Sequence, residues 1–142
     1  MQALREQAGS RVEVRREPSR VRVTGAPYSP RVGAEAAPVQ VVVFSDFECP
    51  YCRRAAPVLR RVAAAFPNDV SLIWRHFPLG IHPSAPRAAE AAQCAEDQGR
   101  FWEFHDALFS QSASLAVVSM AAVARTLGLD AERFEEIGRA HV

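Results

Sequence analysis

Residues 44–54, FSDFECPYCRR, bring together side chains able to do redox chemistry. Cys49 and Cys52 are separated by Pro50 and Tyr51, with Asp46 and Glu48 before them and Arg53 after. Three chemistries suit such a pair: thiol–disulfide exchange, half of a metal site, or a structural staple. A staple gains little here, because so short a loop hardly constrains the unfolded chain. A tetrahedral zinc site needs four ligands. The other candidates, Cys94, His76, His82, His105 and His141, stand at no paired-ligand spacing, so exchange is the chemistry the pair fits best.

The elements that must position these thiols are legible in the apolar pattern. VQVVVF, residues 39–44, is a β-branched run bounded by turn signals, as expected for a strand buried on both faces. It delivers the chain to Cys49. From Pro50 to Phe66 the period becomes helical, with Val58, Leu59, Val62 and Phe66 on one face and Arg53, Arg54, Arg60 and Arg61 largely on the other; Pro57 is expected to kink this helix. VSLIWRHF, residues 70–77, then reads as a second strand, completing a β–α–β unit with parallel strands.

In that frame Cys49 sits where a strand ends and a helix begins, with Pro50 at the first helical position. Unpaired backbone N–H groups and the helix dipole favour a thiolate there, and the Arg53 guanidinium one turn on would add to this. Asp46 and Glu48 would oppose it by raising the thiol pKa. Cys49 is therefore expected to be the exposed attacking sulfur and Cys52 the more buried resolving one. Stabilising the thiolate stabilises the reduced pair, which makes the disulfide a stronger oxidant.

Beyond residue 82 the signals are helical. PRAAEAAQCAEDQ (86–98), FWEFHDALFSQ (101–111) and LAVVSMAAVARTLG (115–128) read as three helices, punctuated by Gly99 and Gly128, and Asp130 reads as the N-cap of a short helix over AERFEE. Phe101, Trp102, Phe104, Leu108 and Phe109 at helical spacing predict a core for these helices. Cys94 reads as a small buried hydrophobe, and His76 and His105 as structural residues. Before residue 37, Val12, Val14, Val21 and Val23 alternate with charged residues as short edge strands, and residues 24–38 concentrate Gly and Pro as a linker.

Composition narrows the function further. With 142 residues and 49% hydrophobic content the chain fits one ordinary domain. A net charge of +1, from 17 basic and 16 acidic residues, gives no general field for nucleic acid or anionic membrane. Three cysteines are too few for a disulfide-built scaffold. No segment has the length of a membrane span, and the first twenty residues lack the apolar core of a secretory signal, which leaves a cytoplasmic location open.

Several ordered motifs, APVQVVVFSDFECPYCRRAAPVLRRV, WRHFPL, HPSAPRAAEAA and QGRFWEFHDALF, together resemble the DsbA-like branch of the thioredoxin superfamily, from about Ala37 to about Glu136. The resemblance implies an α/β thioredoxin-like fold whose first half spans residues 37–82, a helical insert over 83–136, and an N-terminal extension over 1–36. It implies a thiol:disulfide oxidoreductase of the periplasm or a similar compartment, without an organic cofactor or metal. Its partners would be cysteine-containing protein substrates and a redox protein in the membrane. Cys49 would form the mixed disulfide with substrate and Cys52 would resolve it, with Pro50, Tyr51, Asp46, Glu48 and Arg53 as neighbours. A similar pattern occurs as a soluble domain fused to antiporters.

The sequence departs from the family pattern in two places. Val43 stands where many members carry a buried carboxylate that serves the resolving thiol. The closing strands, the last helix and the segment bearing a cis-proline opposite the cysteines are also expected to be missing from this chain. Residues 137–142, IGRAHV, correspond to the codons ATC GGA AGA GCA CAC GTC of a common sequencing-adapter string, so the reading is of a truncated chain with a non-native tail. A glutaredoxin-like cytosolic reductase shares CPYC but lacks the long helical stretch after the second strand. A third reading is an inactive fragment whose exposed dithiol captures zinc.

Overall fold

The computed structural model describes residues 29–111, 115, 116 and 118–139, the last four of these by backbone alone. The edge strands expected around Val12–Val14 and Val21–Val23 lie outside the described residues. A three-stranded sheet of order β1-β3-β2 is built from β1 (Arg31–Val32), β2 (Val39–Ser45) and β3 (Val70–His76). The helices are α1 (Pro50–Ala65), α2 (Ala85–Glu96), α3 (Phe101–Ser110), α4 (Met120–Thr126) and α5 (Glu132–Arg139). The β–α–β unit forms as its sequence predicts, and β2 pairs in parallel with β3 from Val39 opposite Val70 to Ser45 opposite His76.

β1 falls inside the stretch expected to be a linker. Two residues are too few for alternation to show in sequence, and long-range contacts make the strand. Arg31 and Val32 run antiparallel to Ile73 and Leu72, Trp74 donates its backbone N–H to the Pro30 carbonyl, and the Trp102 indole donates to the Arg31 carbonyl at 3.1 Å. Gly33 turns the chain away at φ 93°, and a Cβ there would stand 2.2 Å from the Val70 carbonyl oxygen.

Two burial expectations are corrected. β2 is not buried on both faces: Val39 and Phe44 are 51% and 53% exposed, and Val41, Val42 and Val43 are half-buried. β2 is the outer strand of the described sheet, so nothing among the described residues pairs beyond it. For the same reason the apolar stripe of α1 is not its packing face. Val58, Val62 and Phe66 are exposed, and α1 buries the small side chains Ala56 and Ala63 instead.

The helical half agrees more closely with its periodicity. α2 buries Ala85, Ala88, Ala91, Ala92 and Ala95, small residues that allow neighbouring helices close approach. α3 buries Phe101, Phe104, Leu108 and Phe109. The helix expected over 115–128 is shorter, because Ser119 takes its N-cap and accepts the Ala122 N–H. Leu115 is a buried turn residue ahead of it, and Arg87 holds this approach by donating to the carbonyls of Leu115 and Val118. Asp130 lies one residue before the cap it was expected to be: its carboxylate accepts from Glu132 N, while the Ala131 carbonyl takes the first helical bonds. The core is continuous, with Phe47 and Trp74 from the sheet half in the same cluster as the α2–α5 residues.

Gly33→Ala is expected to destabilise the chain by about 1–3 kcal/mol from backbone conformation alone, with the contact at Val70 adding to this. Urea unfolding midpoints of the two chains measure it.

Candidate active site

Cys49 is the N-cap residue of α1, with extended backbone (φ −71°, ψ 120°) and Pro50 in the first turn. Its N–H bonds the Asp46 carbonyl and its own carbonyl accepts from Arg53 N at 3.0 Å. The cap thus has no polar side chain of the usual kind, and the sulfur takes that place: it receives the N–H groups of Cys52 and Tyr51 and the thiol of Cys52. Desolvation and the negative charge of Asp46 push the Cys49 pKa up, but these hydrogen bonds outweigh them and leave it below the ordinary thiol value.

Both thiols are free and half-buried. The expected contrast in exposure does not show in their burial, which is the same for both, although Cys52 packs against the hydrophobic core. Cys52 opens on an apolar hollow of about 230 Å3 whose walls include Val43, Phe44, Tyr51, Leu59 and Trp74. On the other flank of α1, Arg53 and Arg60 line a cleft of about 380 Å3 toward α3. Tyr51 is 73% exposed, with the Arg54 guanidinium 4.7 Å from its ring centre.

The flanking carboxylates do more than tune charge. Asp46 is 3% exposed. One oxygen accepts Glu48 N at 2.7 Å; the other accepts Leu79 N at 2.8 Å and meets His82 Nδ1 at 2.8 Å. Glu48 reaches the entrance of α2 and accepts Ser84 N at 2.6 Å. Together they fasten residues 79–84 to the start of α1. Sequence reasoning met His82 only as a metal candidate; its partner lies 36 positions away, beyond the reach of any local pattern.

His76 and His105 lie in an aromatic cluster with Phe47, Trp74, Phe101, Trp102 and Phe109. The Trp74 indole donates to His76 Nδ1 at 3.2 Å, so the neutral ring carries its proton on Nε2. Burial, with the charge of His105 second, pushes His76 down to about 4. Burial also lowers His105, against the pull of its Asp106 partner. Cys94 is buried and its thiol is pushed up by desolvation. Among the described residues, no three His, Cys, Asp or Glu side chains are grouped to hold a metal ion.

A parallel β–α–β unit with a CPYC pair at the helix start, followed by a packed helical layer, defines a thioredoxin-like fold of the oxidoreductase class. A thioredoxin family model matches residues 25–140, and the chain belongs to that family. Its solved structural neighbours are of DsbA and ScsC type. A thioredoxin-like oxidoreductase from Silicibacter pomeroyi is 36% identical with a TM-score of 0.70, over 79% of this chain and 64% of that one. Pseudomonas aeruginosa DsbA2 is 27% identical with a TM-score of 0.59, over 83% and 73%. Among curated relatives, a Na(+)/H(+) antiporter NhaA 1 of Salinispora arenicola is 47% identical over 105 residues, 73% of this chain but 16% of the antiporter. The chain thus spans about a sixth of the curated relatives it matches, and among the described residues no helix is long and apolar enough to cross a membrane.

Because His76 and His105 titrate below the ordinary histidine value of about 6.5 in the folded chain, the unfolded chain binds more protons in acid. Stability is expected to be held above pH about 6.5 and to fall as pH drops toward about 4; urea titrations across that window, repeated with His76→Gln, check it. Asp46→Ala strands His82 and Leu79 N, and is expected to cost about 3 kcal/mol in the same assay.

Proposed function

We propose that this chain carries the redox site of a thiol:disulfide oxidoreductase acting on cysteine-containing proteins. The observation that carries the reading is the Cys49 sulfur at the α1 N-terminus, where two backbone N–H groups and the Cys52 thiol bond it and lower its pKa. In the exchange, the Cys49 thiolate attacks a substrate disulfide, forms a mixed disulfide and releases one substrate thiolate. Cys52 then attacks Cys49 Sγ and frees the second, so that two electrons leave the dithiol and the Cys49–Cys52 disulfide remains. The reverse sequence oxidises a substrate dithiol. A stabilised Cys49 thiolate favours the reduced pair, and hence the oxidising direction.

The DsbA-like neighbours and the helical layer after β3 favour this reading over a glutaredoxin-like reductase. By the same likeness we infer that it works outside the cytoplasm, in oxidative folding of other proteins. Cys49→Ser is expected to abolish exchange with a disulfide substrate, while Cys52→Ser accumulates mixed disulfides that mass spectrometry detects and dithiothreitol releases. An unreactive Cys52→Ser chain that forms no adduct would overturn the reading.

A further inference from the structure

The four arginines of α1 are its only charged residues, in a chain whose net charge is +1. Arg53 stands one turn after the reactive cysteine and donates its backbone N–H to the Cys49 carbonyl at 3.0 Å. Arg53, Ala56 and Arg60 follow one another at intervals of three and four, a stripe along one side of the helix. This stripe forms one wall of the cleft toward α3, whose lining also includes Pro57, Asp106 and Phe109. Arg60 is already engaged, 3.6 Å from Asp106 and 4.8 Å from the Trp102 ring centre. Asp106 is in turn bonded to His105 at 2.7 Å. One carboxylate, shared with a histidine, therefore answers two guanidiniums, and the cleft keeps a positive balance above an apolar floor.

We infer that this cleft is a specificity site for acidic peptide segments, the side on which a substrate bonded to Cys49 lies; the inference rests on the exchange reading above. The axial rise of α1 sets the register. Arg53 stands about 6 Å and Arg60 about 16 Å along the axis from Cys49. An extended segment advances about 3.3 Å per residue, so carboxylates about two and about five residues from the reacting cysteine meet the two guanidiniums. The apolar hollow beside Cys52, on the other flank, is left to the resolving thiol.

The test uses the chain oxidised to its Cys49–Cys52 disulfide by glutathione disulfide, and two cysteine peptides carrying either Glu or Gln at those two positions. A peptide thiolate attacks Cys49 Sγ, the Cys49–Cys52 bond breaks and Cys52 leaves as a thiolate. A second peptide thiolate then attacks the peptide sulfur, giving a peptide disulfide and the reduced chain with two electrons gained. Each rate is divided by the same peptide's rate with hydroxyethyl disulfide, which removes differences in intrinsic thiol reactivity. The Glu peptide is expected to react about fivefold faster at low ionic strength, the scale of two partly exposed ion pairs. The advantage should vanish in about 1 M salt, where the Debye length is about 3 Å. Arg53→Gln should reduce the ratio to about twofold and Arg53→Lys should retain it. Equal rates for the two peptides, or a ratio unchanged in Arg53→Gln, overturn the inference while leaving exchange intact, provided neutral dithiothreitol reduces the chain. A chain that dithiothreitol also fails to reduce overturns both.

Discussion

The buried carboxylate of Asp46 is the contact on which the arrangement of this chain depends. A carboxylate with 3% exposure is tolerated only when its oxygens are satisfied, and each partner of Asp46 fixes a different piece of chain. Glu48 N sets the turn out of β2, and Leu79 N and His82 fix the connection from β3 to α2. The Asp46 carbonyl meanwhile takes the N–H of Cys49 and so fixes the start of α1. One residue therefore joins the sheet, the cysteine-bearing helix and the helical layer. Its charge also opposes the Cys49 thiolate, so the group that positions the sulfur works against its ionisation.

That opposition is balanced locally. Pro50 and the N-cap conformation leave the N–H groups of Tyr51 and Cys52 free to face the sulfur. The Cys49 sulfur is thus governed by short-range backbone hydrogen bonds, while Arg53 and Arg60 line the cleft toward α3.

The helical layer gives this site a rigid base. Phe47, directly after the Asp46 turn, stacks at 5.3 Å on Trp74 and at 5.1 Å on Phe109, so the loop carrying the cysteines is packed against β3 and α3 together. Small side chains on α2 let the aromatic residues of α3 fill the space between layers. His76 and His105 are absorbed into that packing as neutral rings, which burial enforces.

The sequence by itself determined the β2–α1–β3 unit, the position of Cys49 at a helix start, the helical character of residues 85–110 and the aromatic core of α3, because each is written in local periodicity and in Pro50. Tertiary structure alone decided what depends on distant partners. The two-residue β1 exists through its bonds to β3 and Trp102, and His82 joins the site through a carboxylate 36 residues earlier. The exposure of β2 and of the apolar stripe on α1 follows from strand order. Periodicity reports which face of an element is apolar, but only the neighbouring strands and helices determine whether that face is covered.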